Sequence, residues 1–169
     1  MRGEECQILG ALTLLDRRDA RFLMPGTHSK LVEVRDGCIR SFATYMTGEV
    51  YAALSGHTIL GRLMAPGTGD GAGFARGVDA AAGLGTAGGL LHAIFSARTL
   101  RLFDEIAPEE ASDYLSGLLI GAELCELRGT AEEIVLIGSP DLVARYRRAA
   151  ARLAIPTGVA PAACVRAGH

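Results

Sequence analysis

The segment Pro25-Gly26-Thr27-His28-Ser29-Lys30 gathers small and hydrogen-bonding residues between two apolar runs. Backbone N–H groups freed by a glycine turn, two hydroxyls and one ammonium are the components of a phosphate cradle. The chain has seventeen basic residues, yet Lys30 is the single lysine. An Ala/Gly/Arg-rich coding bias explains the excess of arginine, but not why one lysine remains. A compact ammonium suits a phosphate oxygen in a tight turn that a guanidinium fork does not fit. By spacing alone an ordinary hairpin turn accounts for the segment slightly better, because Pro-Gly needs no function.

A second candidate is the junction Gly138-Ser139, where an apolar strand runs into Pro140-Asp141. A strand ending in glycine beneath a helix N-terminus is a common approach to a nucleotide. A well-capped structural helix explains the same residues. Glu4, Glu5 and Glu49 are the acidic candidates, but adjacent glutamates project in different directions and form no acid–base pair. Negative charge at a helix N-terminus is their simpler role. His28, His57, His92 and His169 show no metal-ligand spacing. The run from Gly67 does not match GxGxxG and follows no strand, which leaves a flexible connection beside an alanine-rich helix.

The elements that would position these residues follow from apolar spacing. Ile8, Leu9, Leu12 and Leu15 predict a first helix ending near Asp16–Asp19. Residues 21–45 predict three antiparallel strands, with a turn at Pro25-Gly26 and a hairpin at Asp36-Gly37. A helix beginning at Thr47 carries Val50, Tyr51 and Leu54. Pro66 to Gly71 reads as a mobile loop, and Gly83 to Gly89 as a second weak spot. Leu90, Leu91, Ile94, Phe95 and Leu102 predict another helix. Pro108 belongs in the first turn of the next, whose Gly117 and Gly121 allow close approach of a neighbouring element. Residues 133–137 predict a strand, Ser139 and Pro140 start a helix with Leu142, Tyr146 and Leu153 on its apolar stripe, and a short strand follows near Val159. The pattern is an α/β domain whose mixed sheet has three antiparallel leading strands and helices around it.

At 169 residues, with 49% hydrophobic and 21% charged residues, the chain has the composition of one globular domain. A net charge of -2 supplies no attraction to nucleic acid or to an anionic membrane. No apolar run is long enough to cross a bilayer, and Met1 to Glu5 is too acidic for a signal peptide. Cys6, Cys38, Cys125 and Cys164 lack CxxC spacing and read as buried thiols of a reducing cytoplasm.

Taken in order, several stretches resemble one family. They are Met1-Arg2-Gly3-Glu4-Glu5, Gln7-Ile8-Leu9-Gly10, Pro25 through Lys30, Met46-Thr47-Gly48-Glu49, His57-Thr58-Ile59-Leu60, Leu115-Ser116-Gly117-Leu118-Leu119-Ile120-Gly121 and Ile137-Gly138-Ser139-Pro140. The ordered set is similar to 2-dehydro-3-deoxygalactonokinases, of the actin-like sugar-kinase superfamily. The resemblance implies two ribonuclease-H-like domains closing over ATP and a sugar acid. It also implies phosphorylation of 2-dehydro-3-deoxygalactonate at its terminal hydroxyl, with magnesium (Mg2+), in galactonate catabolism. Residues 1–169 would be the C-terminal domain, with the N-terminal domain absent.

By that resemblance Gly26, Thr27, His28, Ser29 and Lys30 form the second phosphate hairpin. Gly138, Ser139 and Leu142 lie at the adenosine. Met1 to Glu5 is the hinge, and Glu4, Glu5, Thr47 and Glu49 fall on the substrate side. The first phosphate loop and the catalytic aspartate, expected upstream of Met1, are absent. Cys6 and Leu31 stand where threonine and tryptophan are typical, and Ala167-Gly168-His169 stops where a last helix usually continues. The chain alone is therefore expected to be inactive. Two other readings stay open: a non-catalytic ATP- or sugar-binding module, and a structural subunit that pairs through the surface the missing domain would have covered. Pairing into a homo-oligomer is open as well.

Overall fold

The computed structural model describes residues 3–69, 71–84 and 89–164. Met1 and Arg2 of the expected hinge, Asp70, residues 85–88 of the second glycine-rich stretch and the terminal 165–169, including His169, lie outside that range.

Helix α1 (Glu4–Leu15) precedes three strands, β1 (Ala20–Met24), β2 (Ser29–Arg35) and β3 (Cys38–Tyr45). Strand β2 pairs antiparallel with both of its neighbours, as the turn residues predict. Asp36 and Gly37 have φ of 53° and 73°, the left-handed pair that a two-residue hairpin requires. After helices α2 (Thr47–His57), α3 (Ala72–Ala82), α4 (Gly89–Leu102) and α5 (Pro108–Leu124), the chain returns as β4 (Ile134–Leu136). Helix α6 (Pro140–Arg152) and β5 (Thr157–Val159) complete it. The sheet order is β3-β2-β1-β4-β5, with β4 parallel to β1 and β5 parallel to β4. This is the mixed α/β sheet that the apolar pattern predicts.

Alternation along the central strands sends side chains to both faces, and both faces are covered. Phe22, Met24, Val32, Val34, Val135 and Ile137 meet Ile8, Ala11 and Leu12 of α1. Leu23, Ile134 and Leu136 point the other way, onto Ile120 and Leu124 of α5 and onto Val143, Tyr146 and Ala149 of α6. The outer strand β3 is largely exposed, and Phe42 remains 54% accessible.

Helices α3 and α5 cross at backbone contact. A Cβ on Gly117 would lie 2.1 Å from the Phe74 carbonyl oxygen, and one on Gly77 would lie 2.1 Å from that of Tyr114. Gly121 fits the same seam, against Val78 and Ala81. The Gly117/Gly121 spacing thus does what its sequence suggests, and Gly73 and Gly77 complete the contact from α3.

Three expectations are corrected. The cysteines are not uniformly buried: Cys164 is, Cys6 and Cys125 are partly covered, and Cys38 is exposed on the outer strand. Helix α4 buries only part of its apolar set. Leu90 and Ile94 pack toward α5 with Ala93 and Ala97, whereas Leu91, Phe95 and Leu102 face outward because α5 covers one side only. The loop after Pro66 is anchored through its described residues. Asp113 accepts the Gly69 N–H at 2.7 Å, and Arg148 donates to the Gly69 carbonyl at 3.1 Å.

An ion cluster ties β2 to the start of β4. Arg35 donates two hydrogen bonds to Glu132, at 2.9 and 3.0 Å, and Arg21 lies 3.3 Å from the same carboxylate. The Arg35 hydrogen bonds hold the Glu132 carboxyl below the usual range; burial opposes them, and the charges of Arg35 and Arg21 reinforce them. A depressed folded-state pKa contributes stability that is present above the ordinary glutamate value of about 4.5 and is lost as pH falls below it. Glu132→Gln is therefore expected to lower stability at pH 7 and to flatten its decline below about 4.5. The cluster is partly exposed, so the effect is modest and shrinks with salt. Denaturant titrations at pH 7, 5, 4 and 3 measure it; an acid decline as steep as in the unaltered protein contradicts this account.

Candidate functional site

Three connections meet at one end of the sheet. Strands β1 and β4 run parallel and adjacent, so Pro25 and Gly138 emerge side by side: the Ile137 N–H donates to the Leu23 carbonyl at 3.0 Å. Strand β3 runs the same way as β1, and Met46 and Thr47 leave its end there too. In open α/β sheets the crevice beyond the strand carboxyl ends is where ligands bind.

The turn after β1 is braced from α2. The Glu49 N–H donates to the Thr27 carbonyl at 3.0 Å, and His28 Nε2 lies 2.5 Å from Glu49 Oε2. Gly48 makes this approach feasible, since a Cβ there would sit 2.6 Å from the Gly26 oxygen and 2.8 Å from Thr27 Cα. Lys30, the second residue of β2, turns back toward the helix start. Its Nζ lies 2.7 Å from Glu4 Oε1 and donates to the His28 carbonyl at 3.4 Å.

These groups line an open cleft of about 400 Å³, whose walls include Glu4, Gln7, Thr27, His28, Lys30 and Gly138. A smaller cavity of about 80 Å³ lies on the other side of Gly26, between α2, α5 and α6. Its lining is mainly apolar, with Leu142 and Tyr51 beside the polar Thr47, Ser116, Arg145 and Tyr146. A polar cleft that carries the Lys30 ammonium, paired with Glu4, and shares Gly26 with a narrower and greasier recess can receive a ligand with an anionic part and a flat, less polar part.

Not every expected residue faces this space. Gly26, Thr27, His28 and Lys30 are brought together at the cleft, and Gly138 joins them. Ser29 is a correction: its side chain is fully buried, and its hydroxyl donates inward to Glu123 at 2.5 Å. A hydroxyl committed to a buried carboxylate is turned away from the cleft. Ser139 stands at the start of α6 but makes no side-chain cap; its carbonyl accepts the Val143 N–H at 2.9 Å. Leu142 faces the smaller cavity.

Of the four residues expected on the substrate side, Glu4 lines the cleft. Glu5 accepts the Gly3 N–H at 3.0 Å at the helix start, Thr47 donates to Glu123 at 2.5 Å, and Glu49 holds His28. The last two brace the turn. His57 and His92 are exposed on helices away from it. Among the described residues, no group of three His, Cys, Asp or Glu side chains could hold a metal ion.

Glu123 is the residue that the sequence did not single out. It lies on α5 at 6% exposure and accepts three hydroxyls, from Ser29 on one oxygen and from Thr47 and Tyr146 on the other. Burial pushes its carboxyl up, and the three donors pull it partly back. The available signal was an acid placed directly after the largely apolar run Leu115-Ser116-Gly117-Leu118-Leu119-Ile120-Gly121-Ala122 on a buried helix.

Comparison with known proteins adds a family. The model of the 2-keto-3-deoxy-galactonokinase family matches residues 1–169. The chain is 36% identical over 152 residues to the 2-dehydro-3-deoxygalactonokinase of Escherichia coli (strain K12), covering 88% of this chain and 50% of that protein. It is 37% identical over 153 residues, with the same coverages, to a Rhizobium meliloti (strain 1021) protein provisionally given that name. A Sinorhizobium meliloti crystal structure, provisionally named the same way, superposes with a TM-score of 0.88 at 33% identity, covering 99% of this chain and 57% of the other. The chain spans about half the length of the curated relatives it matches.

Proposed function

Because the chain belongs to the 2-keto-3-deoxy-galactonokinase family, we propose that the full-length protein transfers a phosphoryl group from ATP to the terminal hydroxyl of 2-dehydro-3-deoxygalactonate. The match over residues 1–169 carries this reading. These residues would form the C-terminal of two ribonuclease-H-like domains, in a cytoplasmic enzyme of galactonate catabolism. The other half of the relatives' length would supply the opposite wall of the cleft and the proton acceptor. No helix among the described residues is long and apolar enough to cross a membrane.

Phosphoryl transfer depends on positioning and on stabilising charge over the phosphate oxygens. In this reading the ATP phosphates enter the 400 Å³ cleft, where Lys30, held by Glu4, is the cation beside the turn. The adenosine lies toward Leu142 and the smaller cavity. Mg2+ is expected with ATP, held chiefly by phosphate, water and one or two carboxylates. The described residues form no cage for it: Glu4 and Glu49, the carboxylates near the turn, are engaged with Lys30 and His28.

The test is a substrate panel. Full-length protein given magnesium ATP and a set of keto-deoxy sugar acids is expected to turn over 2-dehydro-3-deoxygalactonate with the highest kcat/KM. Preference for an unrelated acceptor, or no turnover of any, contradicts the proposal.

A further inference from the structure

Glu123 joins the three segments that form the cleft end of the sheet. Its Oε1 accepts the hydroxyl of Ser29, the first residue of β2 and the end of the phosphate turn. Its Oε2 accepts that of Thr47, which opens α2 beside the Gly48–Gly26 contact, at 2.5 Å, and that of Tyr146 on α6 at 2.7 Å. Stability alone does not account for this set. Replacing a buried polar cluster by apolar residues of the same shape is commonly neutral or stabilising. A fully satisfied cluster does, however, hold its members in a single arrangement. A carboxylate is also the group that the arrangement needs. All three neighbours are hydroxyls that can donate to it, and it accepts at both oxygens without offering a competing proton.

We infer that Glu123 is the positioning residue of the phosphate turn: through Ser29 and Thr47 it keeps residues 25–28 and the start of α2 in the shape that receives a nucleotide polyphosphate. This rests on the reading that the cleft binds ATP. Glu123 itself lines neither the cleft nor the smaller cavity, although Thr47 and Tyr146, which it holds, belong to the smaller cavity's wall. On the turn it acts through Ser29 and Thr47. Glutamine in its place keeps the shape but turns an NH2 toward at least one of the hydroxyls, so the three bonds no longer converge from a single direction.

The experiment uses the full-length protein with Glu123→Gln, and reads affinity for ATP and for adenosine together with amide exchange at Glu49. The Glu49 N–H is bonded to the Thr27 carbonyl and reports the brace directly. A displaced turn weakens chiefly the phosphate-dependent part of binding. ATP affinity is expected to fall about tenfold or more, adenosine affinity to fall clearly less because only the Thr47 and Tyr146 side of its cavity is disturbed, and Glu49 exchange to accelerate. A merely structural glutamate moves the two affinities together or not at all. Should Glu123→Gln fail to fold, Ser29→Ala removes one of the three bonds without altering a residue that lines either cavity, and is expected to show the same selective loss at smaller size. ATP binding and Glu49 exchange both unchanged in the variants that fold, or equal losses for ATP and adenosine, overturn the inference alone. An unaltered protein that binds neither ligand overturns the nucleotide reading, and this inference with it.

Discussion

Lys30→Met in the full-length protein is expected to lower kcat/KM for ATP by about 10²–10³, the range seen when a group stabilising transition-state charge is removed. The competing account is that Lys30 serves Glu4. The pair is 2.7 Å apart, and both side chains are largely covered, at 15% and 25% exposure. Breaking it costs stability whatever the lysine does for phosphate. Glu4→Gln separates the two accounts, because it removes the pair but leaves the ammonium. If pairing is the role, Glu4→Gln reproduces the kinetic loss of Lys30→Met. If the ammonium meets phosphate, Glu4→Gln keeps ATP affinity while Lys30→Met loses it. Lys30→Arg adds the question of shape: partial rescue means that charge dominates, and no rescue means that the compact ammonium is required. Methionine and arginine variants that both match the unaltered protein in kcat/KM and ATP affinity refute the phosphate role.

Gly117→Ala is expected to destabilise the fold. Alanine normally favours a helix over glycine by about 1 kcal/mol. Here the added Cβ would stand 2.1 Å from the Phe74 carbonyl oxygen, a backbone atom of α3 that no rotamer change can move aside. The helices must separate, and overpacking of this kind costs about 1–3 kcal/mol and occasionally more. The steric cost exceeds the propensity gain, so the net effect is destabilising. Gly77→Ala, which meets the Tyr114 oxygen at the same distance, is expected to behave alike. Gly56→Ala supplies the contrast. Gly56 lies in the exposed last turn of α2 with nothing near its Cβ position, so the same change should be neutral or stabilising by up to about 1 kcal/mol. Urea or thermal denaturation of the three variants tests the argument. Equal shifts at Gly56 and Gly117 would mean that backbone entropy, and not the α3–α5 approach, governs these glycines.

Much of this molecule was determined by local chemistry that a linear chain carries. Asp36-Gly37 specifies a tight hairpin because both residues tolerate a positive φ, and the structure has it there. Pro108 and Pro140 begin helices because the missing N–H costs nothing in a first turn. The apolar run 134–137 is buried throughout and forms β4 over Ile134–Leu136. The Gly117/Gly121 spacing announces a close helix partner, and the ordered motifs identify the family over the whole chain. Gathering of Gly26, Thr27, His28 and Lys30 at one turn was also legible, since neighbours in sequence need no fold to bring them together.

The tertiary structure alone decided which of these side chains face the cleft. Ser29 and Lys30 are adjacent, yet strand alternation sends one inward to Glu123 and the other to Glu4. Leu91 and Phe95 look like core from spacing, but only the position of α5 determines which side of α4 is covered. Glu123 draws its meaning from Ser29, Thr47 and Tyr146, which lie 94, 76 and 23 residues away along the chain. Composition and periodicity report local preference, whereas a buried carboxylate is stable only where distant donors arrive together. That convergence is set by sheet order and helix packing, and no window of sequence contains it.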